Sequence, residues 1–139
     1  MESSSAHNQT LFALLLGLAF WASNAIAVEC EKATTQIDLN MCSERTLKES
    51  EIALANVQQQ IVDRLKERPE TLNALNKAQQ TWLTFRNAEC TFASSDGTGG
   101  SAYSMIVSRC REGLNRERTK RLALYLTCEE GDPLCPVPK

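Results

Sequence analysis

Hydrophobic residues recur at three- and four-residue steps along most of the chain, which is the spacing of one face of an α-helix. The first such segment begins at Thr35, which forms a capping-box pattern with Asp38, and nothing interrupts it before Leu65. Pro69 ends this segment and suits the first turn of a second helix, which covers about Glu70–Cys90. The pattern therefore predicts two long helices joined by a short turn.

The rest of the chain divides into a loop, a third helix and a tail. The segment TFASSDGTGGS, residues 91–101, is rich in glycine and serine and is a loop by composition. Ser101 can cap a third helix that reaches about Leu126, and CEEGDPLCPVPK, residues 128–139, contains three prolines and is predicted to be irregular. No alternating run is long enough to predict a strand. Three helices with short connections predict an all-α fold, an antiparallel three-helix bundle.

Polar residues fall on the predicted buried faces of all three helices. On the second helix, Trp82 and Phe85 are assigned to the core, and polar side chains lie beside them. A buried charge is tolerated only when it is paired, and arginine suits pairing with carboxylates. The pattern therefore predicts a structural polar network, with a binding or catalytic pocket as the alternative. Its expected members are Glu44, Glu51, Gln79, Arg86, Glu89, Arg118 and Arg121.

The first 27 residues have the features of a secretory signal. The apolar run LFALLLGLAFWA, residues 11–22, is too short to span a membrane, and Ala25–Ala27 has the small-x-small form of a signal-peptidase site. We expect residues 1–27 to be removed, which leaves a helical domain at 28–127 and a tail at 128–139. The mature protein is expected in the periplasm or outside the cell, without a stable membrane anchor.

All six cysteines lie beyond the predicted signal. An even number of cysteines in a secreted chain indicates disulfides, and six cysteines allow fifteen connectivities. Two of them flank the Gly/Ser loop, one lies off the apolar stripe of the first helix, and two lie in the tail. On these grounds we favour Cys30–Cys42, Cys90–Cys110 and Cys128–Cys135.

Composition gives little support to catalysis, metal binding or nucleic-acid binding. The only histidine, His7, lies in the predicted signal, and no Cys-x-x-Cys pair is present, so neither a zinc site nor another cofactor is expected. The serines have no histidine partner, and the segment DGTGG follows no strand and lacks the lysine of a phosphate loop. Removing Glu2 with the signal leaves 16 acidic and 15 basic residues, which predicts no nucleic-acid partner. An enzyme is therefore the weaker class, and no catalytic residue is assigned.

Two motifs in the same order and the order of the cysteines carry a resemblance to a known family. The motifs are AQQTWLTFRNAEC, residues 78–90, and GGS, Gly99–Ser101, within a similar region from Cys30 to Leu126. In this order they resemble the LprI-type lysozyme inhibitor family of small secreted and periplasmic bacterial domains. The resemblance implies a helical fold and a non-catalytic protein that binds and inhibits a lysozyme-like muramidase. The alternatives are a binding or immunity module for another envelope enzyme, and a structural protein without lysozyme activity.

Two acidic segments are candidates for contact with such a partner. C-type lysozyme is strongly cationic, so its inhibitor is expected to present negative potential. The first candidate is the loop Ser94–Ser101 between Cys90 and Cys110, with Asp96 facing the enzyme, and the second is the acidic tail. The candidate partner-binding residues are Asp96, Gly97, Gly99, Gly100, Ser101, Glu129, Glu130 and Asp132.

Overall fold

Three long helices form the fold in a computed structural model that describes residues 29–129 and 131–137. These helices are α1 (Gln36–Arg64), α2 (Pro69–Ala93) and α3 (Tyr103–Thr127). Short 3-10 turns lie at Cys30–Lys32 and Ser95–Gly97, and the described ranges contain no strand. The all-α prediction is confirmed, whereas the predicted signal peptide lies outside the described residues.

The starts of α1 and α2 follow the capping chemistry expected of them. Thr35 is the N-cap of α1, and its side-chain oxygen accepts a hydrogen bond of 3.2 Å from the backbone N–H of Asp38. Pro69 is the first residue of α2, where its missing N–H costs no helical hydrogen bond. The second helix extends to Ala93, about one turn beyond its predicted end.

The start of α3 differs from the prediction, because Ser101 does not cap it. The N-cap position is Ala102, and no side chain accepts a hydrogen bond from the first turn. The chain enters the helix through a turn in which the N–H of Tyr103 donates to the carbonyl of Gly100 at 3.1 Å. The carbonyl of Ser101 instead accepts a hydrogen bond of 2.9 Å from Nδ2 of Asn40, which ties the loop to α1.

Hydrogen bonds between the helices give their directions. From α1 to α3, residue numbers rise together: Asn40 bonds to Ser101, Ser50 to Asn115 and Arg64 to Leu126. Between α2 and α3, the residue numbers on α3 fall as those on α2 rise: Gln79 bonds to Arg118, Arg86 to Asn115 and Cys90 to Cys110. Consecutive helices are therefore antiparallel, while α1 and α3 run parallel in an up-down-up bundle.

The interior of the bundle has an apolar half and a polar half. The apolar half lies toward the end of α1, and its buried members are Leu54, Ile61, Leu65, Leu122 and Val137. Toward the loop, the buried side chains between α1 and α3 are Ser43, Ser50, Ser108 and Asn115. The bonded pair Ser50 and Asn115 is separated by 65 residues in sequence, and the same offset relates Ser43 to Ser108. Small polar side chains at these positions let the two helices approach each other closely.

Three disulfides cross-link the bundle, in the pairs that the sequence analysis favours. Cys30–Cys42 fastens the segment before α1, and Cys90–Cys110 joins the end of α2 to α3. Both lie at the loop end, where little apolar surface is buried. Cys128–Cys135 closes the tail at the opposite end.

The tail is part of the core, although its composition predicts an irregular segment. Val137 is 2% exposed and packs in the apolar cluster. The carbonyl of Pro136 accepts a hydrogen bond of 3.0 Å from Nη1 of Arg68, which fixes the tail to the turn between α1 and α2. The tail therefore covers one end of the bundle as a strap.

Replacing Val137 with alanine is expected to lower the free energy of unfolding by about 1–2 kcal/mol, because buried methyl groups are lost and a cavity remains. Leu134→Ala in the same tail is the matched control, since Leu134 is 82% exposed and its removal should have little effect. Urea unfolding of both variants measures the difference. Equal stability would show that the strap is not docked in solution.

Candidate functional site

Arg86 on α2 is the centre of a polar network that connects the three helices. It is 8% exposed, and its Nη1 donates a hydrogen bond of 2.9 Å to Oδ1 of Asn115. The same nitrogen lies 3.5 Å from Oε1 of Glu51, which is 48% exposed. Burial lowers the pKa of Arg86, and the charge of Glu51 opposes that shift. The predicted ion pair exists, but the principal partner of Arg86 is a buried amide.

Asn115 extends the network from α3 to α1. It is fully buried, and its Nδ2 donates a hydrogen bond of 2.8 Å to Oγ of Ser50. Ser50 in turn donates to the carbonyl of Leu47 at 2.6 Å. Both ends of the Asn115 side-chain amide therefore have a partner, which is what a buried amide requires.

A second set of bonds surrounds Gln79, about two turns from Arg86 toward the apolar half. The amide of Gln79 donates to Oε1 of Gln58 at 3.0 Å and accepts from Nε of Arg118 at 2.6 Å. Trp82 links the two sets, because Arg86 and Arg118 lie 5.5 and 5.9 Å from its ring centroid. These distances fall within the range of cation–π attraction. The indole is thus in contact with two guanidinium groups.

Three predicted members are exposed and lie outside the network: Glu44, Glu89 and Arg121. Glu51 is also exposed, but its carboxylate reaches Arg86. On α1 the buried stripe passes through Ser43 and Ser50 instead of Glu44 and Glu51, which is one residue earlier than predicted. One residue corresponds to about 100° around a helix, enough to place a side chain outside the interior. Of the predicted members, Glu51, Gln79, Arg86 and Arg118 do come together.

Phe85 does not belong to the core, which corrects the sequence-based assignment. Its side chain is 51% exposed, whereas Trp82 is partly buried against the apolar cluster. Arg86 occupies the inward position on this turn of α2, so the preceding residue points away from the bundle.

Ser43, Ser50, Ser108 and Asn115 are buried residues that the hydrophobic pattern does not reveal. The sequence does contain a pattern that could identify them: Ser43 and Ser50 are seven residues apart, as are Ser108 and Asn115, so each pair lies on one face of its helix. A search for apolar periodicity overlooks it, since serine and asparagine count as polar.

The Gly/Ser loop forms a series of tight turns at one end of the bundle. Asp96 is exposed in the Ser95–Gly97 turn, and no residue in the described part of the chain bonds or pairs with its side chain. The carbonyl of Gly97 accepts from the N–H of Gly100 at 3.0 Å, and Gly99 has a φ of 82°, a conformation that favours glycine. With the Cys90–Cys110 disulfide at its base, the loop is held in one shape.

The acidic tail lies at the other end of the bundle. Glu129 and Asp132 are exposed, and Asp132 accepts a hydrogen bond of 2.8 Å from the N–H of Leu134. Glu130 lies outside the described residues. The 25 residues of α3 separate tail from loop by about 37 Å at 1.5 Å per residue. The two candidate segments therefore cannot belong to one small site.

The described residues offer no arrangement for metal binding or membrane spanning. Over 29–129 and 131–137, no three acidic, histidine or cysteine side chains are grouped to hold a metal ion. None of the helices in those ranges is long and apolar enough to cross a bilayer. All six cysteines are in disulfides.

Together these features define a small disulfide-bonded helical bundle with a partly polar interior and a disulfide-held loop at one end. The family model of the lysozyme inhibitor LprI matches residues 29–122, and the chain belongs to this family. The matched region contains two of the disulfides and ends before the tail. An uncharacterized protein of Rhizobium meliloti (strain 1021) is 30% identical over 105 residues, which is 68% of this chain and 76% of that protein. No solved structure matches the chain significantly.

Proposed function

We propose that this protein binds and inhibits a lysozyme-like muramidase. The observation that carries the proposal is the family match over residues 29–122, which includes nearly all of the three-helix bundle. The protein acts as a non-catalytic partner, since an inhibitor needs a fixed complementary surface rather than a nucleophile or a general base. The alternative, a module that binds another envelope enzyme, shares the fold and differs in the partner.

The proposed location is the periplasm or the exterior of a bacterial cell. The secretory features of residues 1–27 support it, and so do the three disulfides, which persist in oxidising compartments. Muramidases act on the cell wall, so an inhibitor in the envelope meets its target directly.

We place the principal contact on the loop Ser94–Ser101. A loop held by a disulfide loses little conformational freedom on binding, which favours affinity. Asp96 is exposed and carries a carboxylate that no described residue neutralises, so it can face a cationic enzyme surface. The tail residues Glu129, Glu130 and Asp132 remain the second candidate contact.

Asp96→Lys is expected to weaken inhibition about tenfold, because a like charge then faces the cationic enzyme. A turbidity assay of cell-wall lysis, with purified mature protein titrated into chicken-type and goose-type lysozymes, measures the effect. Inhibition by the unchanged protein should also decrease as salt is raised. Glu129→Lys makes the same charge reversal in the second candidate contact, and it is expected to inhibit as the unchanged protein does if the loop is the principal contact.

The same assay separates the other possibilities. If Glu129→Lys weakens inhibition and Asp96→Lys does not, the tail is the contact. If the unchanged protein does not slow lysis by either enzyme at high molar excess, inhibition is rejected and the other-enzyme module is favoured.

A further inference from the structure

Arg111 on α3 carries a charge that the described part of the chain does not neutralise. Its Nε is buried and makes no hydrogen bond, and no carboxylate of the described residues forms an ion pair with its guanidinium. The terminal nitrogens are not among the buried unpaired atoms, and the residue as a whole is half-buried. The outer edge of this guanidinium is therefore available to donate hydrogen bonds.

Positive charge accumulates around this residue. Arg111 lies near enough to Arg86 to lower its pKa by repulsion, and the Nε of Arg86 is also buried without a partner. Arg118 contacts the ring of Trp82, as Arg86 does. Among the described residues these three arginines form one ion pair, which joins Arg86 to Glu51. The cluster therefore has an excess of cations beside a partly buried aromatic ring.

A purely structural role does not explain Arg111. An internal ion pair stabilises a fold when each charge has a partner, whereas neighbouring like charges destabilise it. Its free edge has the fork geometry that binds a carboxylate through two parallel hydrogen bonds. An acid from outside the described chain would complete the pairing.

The cluster lies beside the proposed contact loop. Arg111 directly follows Cys110, and Arg86 lies one turn before Cys90, so the disulfide that fixes the loop also fixes the cluster. The carboxylate of Asp96 and the guanidinium of Arg111 thus belong to the same half of the bundle. This half presents both signs of charge.

A muramidase offers a matching arrangement. Its catalytic cleft carries a pair of carboxylates that flank the scissile sugar bond, while the rest of a C-type enzyme is cationic. We propose that Arg111, supported by Arg86, binds a carboxylate in the catalytic cleft of the muramidase, while Asp96 contacts the cationic surface beside it. This inference rests on the proposed function and assigns the part of the partner that is recognised.

Arg111→Gln tests the inference, with Arg109→Gln as the matched control. Both variants remove one positive charge from α3, but Arg109 is exposed and lies two residues away, on a different side of the helix. We expect Arg111→Gln to weaken inhibition about tenfold in the lysis assay and Arg109→Gln to stay within about twofold of the unchanged protein. Arg111→Lys keeps the charge but cannot form two parallel hydrogen bonds to one carboxylate. Its inhibition is therefore expected to be stronger than that of Arg111→Gln and weaker than that of Arg109→Gln.

A double-mutant cycle with the enzyme identifies the contacted group. In calorimetric titrations, the unchanged protein is expected to bind a muramidase whose ionised catalytic carboxylate is replaced by the amide about tenfold more weakly than the native enzyme. Arg111→Gln is expected to bind the two enzymes equally. Thermal melts of Arg111→Gln should be no lower than those of the unchanged protein, because no internal partner is lost and the repulsion with Arg86 is removed.

The outcomes separate this inference from the proposed function. If the unchanged protein inhibits and Arg111→Gln inhibits equally well, the inference is overturned and the function stands. The inference is also overturned if Arg111→Gln melts at a lower temperature than the unchanged protein and its affinities for the native and the amide-substituted enzyme have the same ratio as those of the unchanged protein. If the unchanged protein neither binds nor inhibits a muramidase, both the inference and the proposed function are overturned.

Discussion

Arg86→Ala is expected to lower the free energy of unfolding by about 2–4 kcal/mol, since it leaves a buried polar group without its partner and removes packing against an aromatic ring. The group left without a partner is Oδ1 of Asn115, which is fully buried. Glu51 contributes less, because it is 48% exposed and regains water when the guanidinium is removed. The loss therefore arises mainly from the amide and from the ring of Trp82.

Two further variants isolate this cause. Arg109→Ala removes an exposed arginine and is expected to change stability by less than about 0.5 kcal/mol. The double variant Arg86→Met, Asn115→Leu replaces both partners with apolar groups of similar size, and such replacements are often close to neutral. It should therefore be more stable than Arg86→Met alone. Urea unfolding measures the stability of each of these variants. An unchanged unfolding midpoint for Arg86→Ala would mean that the guanidinium is exposed in solution.

The helices and their order can be predicted from sequence because they depend on local signals. The Thr35 cap, Pro69 and the glycines near residue 99 each act on their own backbone, so they mark helix boundaries without knowledge of the fold. The cysteine pairs also follow from position, since Cys90 and Cys110 flank one loop. These features need no tertiary contact to be recognised.

The face of each helix that lies inside is harder to predict, because the interior is partly polar. Glu44 and Glu51 lie on a stripe that contains isoleucine and leucine, yet the close α1–α3 contact is made by the smaller Ser43 and Ser50. Side-chain size, rather than hydrophobicity, decides which stripe can face a closely packed parallel helix. That choice depends on the helix opposite, where Asn115 occupies the matching position.

The candidate site shows the same division between local and tertiary information. Asp96 is identified from sequence as an acid in a constrained loop, and the structure places it on the surface of that loop. Helical phase separates Arg111, seven residues before the inward-facing Arg118, from Arg109 on another side of α3, but it does not show that a cation of another helix lies beside Arg111. The difference follows from the position of α2, whose Arg86 repels Arg111.

Removing the Cys90–Cys110 disulfide is expected to lower the free energy of unfolding by about 3 kcal/mol, from the chain-entropy model for a separation of 20 residues. The paired change Cys90→Ala, Cys110→Ala acts at the polar half of the bundle. Little apolar burial is available there to compensate, because the buried side chains include Ser108 and Asn115. The loop end is therefore expected to lose its order before the apolar end does.

The tail disulfide provides the matched control. The paired change Cys128→Ala, Cys135→Ala opens a separation of 7 residues, and its expected cost is about 2 kcal/mol. In the lysis assay the loop variant is expected to inhibit about tenfold more weakly, because a flexible loop must be ordered when it binds. The tail variant is expected to inhibit as the unchanged protein does, since its loss of stability falls at the opposite end of the bundle. If both variants inhibit equally while folded, the inhibitory surface does not include the loop that Cys90 and Cys110 hold in place.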